Sequence, residues 1–334
     1  MNELKINDSG NIRTNVRLYN RYLSCKMKKL KNILLFLLAI STMSAQNNIE
    51  IRLEGQTQID QFDVSTIGEI FNGDIVISGT IESLDKFNKL KEINGSLKLT
   101  SLENTKEFSG FKNLVSIKGA FYLISAPNLE TINAFENLHF IGNIFWLSEC
   151  QALNSLFCFK TLNQVEKVFR INGKNSLKDL KGLSSLKSIG HLEITYTNLK
   201  SLEGLTSLEN IESIGISETE QLTNLTGLEN LTNLSGTLEL FGNKKLKSLK
   251  GLENLQSLGE QSNLYIRSNP ELESIEELKN LNYKTIWNFA VANNKNLCKC
   301  KSKTLIDYLS YSNFASEINR NGNNCNSKEE ILNE

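Results

Sequence analysis

Between Leu177 and Leu258, hydrophobic residues return at every third position in rows of five that recur along the chain. The four rows are Leu177/Leu180/Leu183/Leu186/Ile189, Leu199/Leu202/Leu205/Leu208/Ile211, Leu222/Leu225/Leu228/Leu231/Leu234 and Leu246/Leu249/Leu252/Leu255/Leu258. Their starts lie 22, 23 and 24 residues apart, a spacing typical of stacked structural repeats. Each row, called a ladder below, precedes two apolar residues separated by one, such as Leu192 and Ile194. This alternation predicts a short β-strand with one buried face.

The period of three disfavours a long α-helix, because a helix has 3.6 residues per turn and would carry such a row around its surface. A chain that bends every few residues, in extended or 3₁₀ segments, keeps every third side chain in one core. One such coil cannot bury its own row, so it must stack on its neighbours. The sequence therefore predicts a repeat solenoid that is mainly β.

The strand signal marks the limits of the repeats. The predicted inward pairs are Ile75/Ile77, Leu97/Leu99, Phe121/Leu123, Phe145/Leu147, Phe169/Ile171, Leu192/Ile194, Ile214/Ile216, Leu238/Leu240, Leu264/Ile266 and Phe289/Val291. They predict about ten coils within residues 73–295. Residues 46–72 lack a ladder and are interpreted as an N-terminal cap, with a short helix around Ile59. Residues 296–334 are interpreted as a C-terminal cap, with a helix from Lys303 and a capping box from Ser327 to Glu330.

Segment 133–143, with segment 118–124 before it, resembles the receptor L domain, and the strongest motif of this resemblance is the recurring F/L-x-N-L-x-x-I-x-G-x-L-x-I. That domain is related to leucine-rich repeats and occurs in the ectodomains of epidermal growth factor and insulin receptors. The resemblance implies a right-handed parallel β-helix over residues 73–295. Segment 294–309, with the segment 321–331 that begins N-G-N-N-C, is similar to the cap that ends many secreted Bacteroidetes proteins of this type.

Residues 27–45 have a basic start, a short apolar run and a small-residue end, which is the pattern of a secretory signal peptide. Residues 1–26 precede this pattern and are interpreted as a non-native or over-extended start, since Met27 is the more natural one. The apolar run from Ile33 to Ile40 is shorter than the roughly 20 residues that span a bilayer. We therefore expect a secreted or surface-displayed protein with no stable membrane span in its mature chain. Anchoring by an uncleaved N-terminal segment is the alternative.

The charge balance argues against nucleic acid as a partner. The whole chain has 37 basic and 37 acidic residues, and removal of residues 1–45 would take away eight basic and two acidic ones, which leaves a net charge of −6. No basic run interleaved with aromatic residues remains. The sequence also contains no phosphate-binding loop, metal-binding pair or catalytic triad spacing. We expect no cofactor, no metal and no catalytic activity.

Five of the six cysteines follow residue 45. Cys298 and Cys300 precede the predicted cap helix and Cys325 follows it, so one of the first two is expected to form a disulfide with Cys325. A zinc site is not expected, since no histidine is near in sequence. Cys150 lies three residues after a predicted strand, where later repeats have Asn243, Asn269 and Asn294, and this predicts a structural role in the bend. Cys158 occupies a position where later repeats have glycine, and two reduced thiols are favoured over a bridge between Cys150 and Cys158.

The outward positions of the strands are the candidate binding surface. In chain order they are Val76, Lys98, Tyr122, Trp146, Arg170, Glu193, Gly215, Glu239, Tyr265 and Ala290. Tyr122 and Trp146 should be neighbours, flanked by Ile124, Ile144 and Arg170. An exposed aromatic and aliphatic patch next to charge is typical of recognition sites. The alternative is cross-strand stacking that only stabilises the sheet.

These observations predict a non-catalytic extracellular or cell-surface module that binds a protein or glycan through its strand face. The predicted site comprises Tyr122, Trp146, Arg170, Glu193, Ile124, Ile144 and Tyr265. A structural or adhesive spacer is the second hypothesis. The third is a carbohydrate-active enzyme on a β-helix, because Glu193 and Glu239 would lie about 9–10 Å apart, a separation found in inverting glycosidases.

Overall fold

The structure is a computed structural model, and it describes residues 49–312 and 316–333. The described chain is mostly β, with one sheet of 16 strands and a second sheet of three. All strand pairs are parallel, and neighbouring strands come from successive repeats. The predicted mainly β, repeat-like architecture is thereby confirmed. The predictions for residues 1–26 and 27–45 lie outside the described residues.

The strands, in chain order, are β1 (Ile49–Glu54), β2 (Ile70–Phe71), β3 (Gly73–Ser78), β4 (Ser83–Leu84), β5 (Glu92–Ile93), β6 (Leu97–Thr100), β7 (Glu107–Gly110), β8 (Ser116–Ile117), β9 (Phe121–Ile124), β10 (Thr131–Ala134), β11 (Phe140–Ile141), β12 (Ile144–Ser148), β13 (Gln164–Asn172), β14 (Ser188–Thr195), β15 (Asn210–Ser217), β16 (Leu238–Phe241), β17 (Ser262–Arg267), β18 (Ile286–Ala292) and β19 (Ser316–Asn319). The α-helices are α1 (Gly55–Gln61), α2 (Lys303–Tyr311) and α3 (Lys328–Leu332). The 3₁₀ helices are Val64–Thr66, Asp85–Lys89, Phe157–Phe159, Lys181–Leu183, Glu276–Asn280 and Tyr283–Thr285.

Twelve strands form the main path of the large sheet, in the order β1-β3-β6-β9-β12-β13-β14-β15-β16-β17-β18-β19. The ten predicted inward pairs all lie on this path. The register joins equivalent residues of successive repeats, as in Ile75 with Leu97 and Leu192 with Ile214. The short strands β2, β5, β8 and β11 pair with one another, and β11 also pairs with β13.

The sheet extends one strand beyond the predicted repeats at each end. β1 lies in the segment that the sequence assigned to the N-terminal cap, yet it pairs with β3 in register, with Ile51 opposite Ile75. β19 likewise lies in the predicted C-terminal cap and pairs with β18. The predicted helix around Ile59 is α1, and Ile59 is fully buried in it. The caps therefore contribute strands as well as helices.

The core consists of the ladders and the inward strand residues. All four ladders found in the sequence are buried, as are the ten inward pairs. Each such side chain contributes about 1.5–3 kcal/mol when it is fully buried. In the first half of the chain the leucines give way to two columns of phenylalanine rings. One column runs through Phe62, Phe87, Phe111, Phe135 and Phe159, and the other through Phe121, Phe145 and Phe169.

Every strand of the main path turns sharply two residues after its second inward position, through a residue with positive φ. These residues include Ser101, Ser125, Glu149, Gly173, Tyr196, Glu218, Gly242, Ser268 and Asn293, with φ between 54° and 83°. Most of them are not glycine, although the left-handed conformation costs an L-residue roughly 1–2 kcal/mol. The regular bend sets the position where the main chain needs internal hydrogen-bond partners.

Those partners are a column of buried asparagines one residue after the bend. Asn243 donates to the carbonyl of Ile216 at 3.0 Å, Asn269 to that of Leu240 at 3.1 Å and Asn294 to that of Ile266 at 2.9 Å. Asn321 continues the column by accepting from Asn294 at 3.1 Å. Cys150 lies at the same position, buried, with Sγ 3.4 Å from the carbonyl oxygen of Ser148. Its predicted structural role is confirmed.

The C-terminal segment is closed by a disulfide between Cys300 and Cys325, whose Cα atoms lie 6.0 Å apart. Of the two pairings that the sequence left open, the structure has this one, and Cys298 keeps an exposed free thiol. Cys150 and Cys158 are also unpaired. The two helices of this segment, α2 and α3, each have a serine as N-cap: Ser302 accepts from the amide of Leu305, and Ser327 accepts from that of Glu330.

No helix among residues 49–312 and 316–333 is long and apolar enough to cross a bilayer.

Candidate recognition surface on the sheet

The candidate surface is built by the outward residues of four adjacent strands. Register places Trp146 of β12 between Tyr122 of β9 and Arg170 of β13, and Arg170 beside Glu193 of β14. Their strands lie side by side, so these four side chains form one continuous row. It is called the Tyr122–Glu193 row below.

Each neighbour in the row contacts the next. The rings of Tyr122 and Trp146 have centroids 6.0 Å apart at an angle of 60°. The guanidinium of Arg170 lies over the Trp146 ring, 5.1 Å from its centroid. Arg170 Nε in turn donates to Glu193 Oε2 at 2.6 Å. Such a chain of contacts holds both aromatic side chains and the charge in one arrangement before any partner arrives.

Two residues that the sequence reasoning did not single out complete this arrangement. The indole Nε1 of Trp146 donates to the side-chain oxygen of Asn172. Next to Tyr122, Lys98 forms an ion pair of 2.9 Å with Asp74. Asn172 follows Arg170 by two residues and Asp74 precedes Val76 by two, so both lie on the outward face by the two-residue period of a strand. That period could have identified them.

The row is half-buried. Arg170 and Glu193 keep 26% and 37% of their side-chain surface exposed. Burial is the main factor that raises the pKa of Tyr122; the nearby carboxylate of Asp74 raises it further, and Arg170 opposes the shift. The phenol therefore stays neutral at physiological pH and can act as both donor and acceptor.

One sequence prediction about this face is corrected. Ile144 is buried, with only 9% of its surface exposed, so it supports the neighbouring side chains and does not belong to an exposed patch. Val76 and Ala290 keep the outward position that alternation gives them, but both are short side chains that lie buried between longer ones. Val76 lies between Arg52 and Lys98, and Ala290 between Tyr265 and Glu317. Ile124 stays half-exposed, at the end of β9.

Tyr265 is not part of the row. Gly215 and Glu239 lie between it and Glu193, because β15 and β16 separate β14 from β17. Tyr265 contacts the guanidinium of Arg267 at 4.3 Å instead, and Arg267 pairs with Glu317 at 3.0 Å. The predicted set thus divides into the Tyr122–Glu193 row and a second, smaller cluster around Tyr265.

The features that would point to catalysis are scattered. Glu193 is paired with Arg170, and Glu239 lies two strands away and forms no ion pair among the described residues. Within those residues, no group of three or more His, Cys, Asp or Glu is placed to hold a metal ion. The Nε2 atom of His191 lies 3.3 Å from the carboxylate oxygen Oε2 of Glu212. Burial raises the pKa of the Cys150 thiol to about 12, so Cys150 stays protonated and unreactive near neutral pH.

Comparison of the sequence with protein-family models and with curated proteins gave no match.

Proposed function

We propose that this protein is an exported, non-catalytic recognition module that binds a partner through the outward face of its sheet. The observation that carries the proposal is the Tyr122–Glu193 row. Trp, Tyr and Arg are the residues that most often dominate binding energy at protein interfaces. Here they are adjacent, half-exposed and already held in place, so little side-chain entropy is lost when a partner docks.

A protein partner fits the row better than a glycan does. A sugar stacks on the open face of an aromatic ring, but Arg170 lies over the Trp146 ring and Tyr122 contacts it from the neighbouring strand. The partly exposed ring lies next to the ion pair of Arg170 and Glu193. That combination suits the mixed apolar and charged surface of a protein.

The proposed architecture is a solenoid, a right-handed parallel β-helix of the receptor L-domain and leucine-rich-repeat type with about ten coils and two caps. Its support is the recurrence of the same register at each repeat and the alignment of the short strands β2, β5, β8 and β11 in a second column. Stacked repeats of this kind expose a long continuous strand face, which such proteins use for binding. The pattern of residues 27–45 supports export to the cell surface or medium. N-terminal sequencing of the mature protein, expected to start near Gln46, tests this.

The double variant Tyr122→Ala/Trp146→Ala tests the binding face. Wild type and variant are each applied to a glycan array. Each is also used as bait to capture cell-surface proteins by cross-linking. A protein captured by the wild type should be lost from the double variant and kept by a control, Glu239→Ala/Tyr265→Ala, on the same face. If the double variant keeps its ligands, the row is not the binding site. Selective loss of a glycan would assign a sugar as the ligand.

The second candidate is a structural or adhesive spacer. The observation in its favour is that the members of the row contact one another, as expected of stacking that only stabilises the sheet. Under this alternative the double variant loses stability but no ligand. A carbohydrate-active enzyme is the least supported candidate, and Glu239→Gln would have to abolish hydrolysis of a glycan for it to hold.

A further inference from the structure

The N-terminal end of the large sheet is an open strand edge. β1 is the first strand of the main path and, among the described residues, pairs only with β3. In the following strands the inward residues direct their main chain to the next repeat, as when Ile75 N donates to the carbonyl of Ser96 at 2.8 Å. β1 continues that register, so the intervening residues Glu50 and Arg52 direct their N–H and C=O groups to the free edge.

The N-terminal cap leaves this edge uncovered. α1 follows β1 and stacks on the next repeat as β1 does, since Gln56 N donates to the carbonyl of Thr80 at 3.0 Å. Ile49 is 62% exposed, and the side chains of Glu50 and Arg52 keep 40% and 67% of their surface exposed. An unpaired strand edge with an exposed apolar side chain is a template for pairing with another chain.

The charges along this edge are complementary to themselves. The outward residues Glu50, Arg52 and Glu54 alternate in sign. When two copies of β1 pair antiparallel, the residues whose main chains point to the edge must face one another. Registers that place Glu50 opposite Glu50, or Arg52 opposite Arg52, put like charges together and are destabilised. Arg52 opposite Glu54 is disfavoured as well, because the Glu54 amide already donates to Gln58 Oε1 at 2.9 Å. The register that remains pairs Glu50 with Arg52 of the second copy, twice.

We propose that β1 pairs antiparallel with β1 of a second copy of this chain, about a twofold axis at Ile51. Glu50 of each copy exchanges two main-chain hydrogen bonds with Arg52 of the other, and their side chains form an ion pair. On the inward side, Ile51 faces its own counterpart and Ile49 faces Leu53. Within one copy Glu50 and Arg52 already pair at 2.8 Å, but so exposed a pair contributes little, and the exchange of partners costs little. The interface is isologous, as in most homodimers.

The pairing continues the large sheet through both copies, with their outward faces on the same side. Seven strand spacings, about 34 Å, then separate the two Tyr122 residues, since Tyr122 lies on the fourth strand of the main path. A ligand with two matching sites would meet two Tyr122–Glu193 rows at once. That consequence rests on the proposed function, whereas the dimer itself does not, because β3 and β6 separate β1 from the row.

Sedimentation of the purified mature protein over a hundredfold range of concentration tests the proposal, and we expect a reversible dimer. Arg52→Glu and Glu50→Arg each place like charges opposite one another and should raise the dissociation constant at least tenfold. An equimolar mixture of these two variants again pairs acid with base at both positions and should form the dimer, as should the double variant Glu50→Arg/Arg52→Glu. Glu239→Arg, at a carboxylate on the same face far from β1, is the control and should dimerise as wild type does.

A cysteine at the axis tests the register. In a Cys298→Ser background, which removes the exposed native thiol, Ile51→Cys should form a disulfide-linked dimer with oxidised glutathione. Facing residues at a non-hydrogen-bonded position have Cα atoms about 4.5 Å apart, within the range of a disulfide. Ile49→Cys should not cross-link, because it faces Leu53.

A wild type that stays monomeric at every concentration overturns the proposal. A mixture of the two charge variants that stays monomeric, or equal cross-linking at residues 49 and 51, overturns it too. The dimer is measured without any ligand, so its failure leaves the proposed function untouched. Loss of ligand binding in Tyr122→Ala/Trp146→Ala should in turn leave the dimer intact.

Discussion

The indole nitrogen of Trp146 donates a hydrogen bond to the side-chain oxygen of Asn172, from one strand of the large sheet to the next. Arg170, two residues before Asn172, lies over the same indole ring. Trp146 is thus held by two residues of β13, one through its nitrogen and one through its ring face. A ring fixed in this way is prepared to contact a partner without first losing rotamer freedom.

The first prediction concerns this hydrogen bond. Asn172→Ala should lower the free energy of unfolding by about 1 kcal/mol, the usual value for a neutral hydrogen bond, and should free the indole. In a Trp287→Phe background, Trp146 fluorescence anisotropy should fall and its emission should shift to longer wavelength. Asn263→Ala removes an amide elsewhere on the same face and is the control. It should change neither the anisotropy nor the emission wavelength of Trp146. Unchanged fluorescence in Asn172→Ala would show that packing alone holds the ring.

This surface shows which features of a site the sequence can predict and which it cannot. Tyr122, Trp146, Arg170 and Glu193 could be placed side by side because strand register follows directly from the repeat, and the structure places them so. The bond to Asn172 was not predicted, because away from the central outward position of each strand only Ile124 and Ile144, beside the aromatic pair, were included. The burial of Ile144 could not be read from alternation, since it depends on how neighbouring side chains cover it.

The ends of the sheet show a second limit of sequence reasoning. Residues 46–72 were assigned to the cap because they lack a ladder, although Ile49, Ile51 and Leu53 alternate with charged residues as in a strand with one buried face. Residues 316–319 of β19 show no such alternation, so nothing in the sequence pointed to it. The four ladders and ten inward strand pairs that the sequence predicted are all buried, by contrast, because a row of apolar residues with a fixed period is hard to explain in any other way. The choice between Cys298 and Cys300 needed coordinates, since the two cysteines are separated by one residue.

The second prediction is that the disulfide stabilises the C-terminal segment. Cys325→Ser should lower the stability of the protein by about 2–4 kcal/mol, measured as a lower melting temperature under non-reducing conditions. Cys298→Ser should have little effect, because this thiol is exposed and unpaired. Peptide mapping without reductant should recover Cys300 linked to Cys325. Recovery of Cys298 linked to Cys325 would show that the other pairing forms in the folded protein.

The third prediction concerns the column of buried asparagines. Asn269 accepts hydrogen bonds from the main-chain and side-chain nitrogens of Asn243, both at 3.0 Å, and donates to the carbonyl of Leu240. Asn269→Ala removes the bonds to the main-chain amide of Asn243 and to the carbonyl of Leu240 in the core, while the side-chain nitrogen of Asn243 keeps its bond to Ile216. We therefore expect the free energy of unfolding in urea to fall by about 2–4 kcal/mol. Asn254→Ala removes a bond of 2.8 Å to the carbonyl of Glu229 at an exposed site and should cost far less, because water can replace it. Equal losses of unfolding free energy in the two variants would mean that the buried column stabilises the fold no more than an exposed hydrogen bond does.

The fourth prediction separates backbone conformation from crowding at two glycines. Gly173 has φ +83°, and the nearest atom to a Cβ there would be 3.5 Å away. Gly173→Ala should therefore cost only the left-handed conformation, roughly 1–2 kcal/mol. Gly204 has φ +111°, and a Cβ would lie 1.9 Å from the Leu180 oxygen, so Gly204→Ala must also push two repeats apart and should cost more. Equal melting temperatures for the two variants would contradict this reading of the contact between repeats.

The last prediction tests whether the repeats act as interchangeable units. Residues 199–221 form one complete repeat with its ladder and β15, and their deletion joins Asn198 to Leu222. Leu192 of β14 would then lie opposite Leu238 of β16, which takes the place of Ile214. Thr197 would take the position of Thr219, which donates to the Asn243 side chain at 2.8 Å. The Thr197 hydroxyl is buried without a partner within the described residues, so it is available for this bond.

Because each repeat contacts mainly its neighbours, the chain without residues 199–221 should keep a cooperative urea transition and its β circular dichroism, with a stability lower by the contribution of one repeat. Deletion of residues 199–209 alone is the control. It removes about half a repeat, moves the following strand out of register and should abolish cooperative unfolding, since a shift in register carries apolar side chains away from the core. If both deletions unfold the protein alike, the repeats are not equivalent units, and the proposal that one repeat can be removed from the solenoid is wrong. If both leave it folded, the ladders do not set the register.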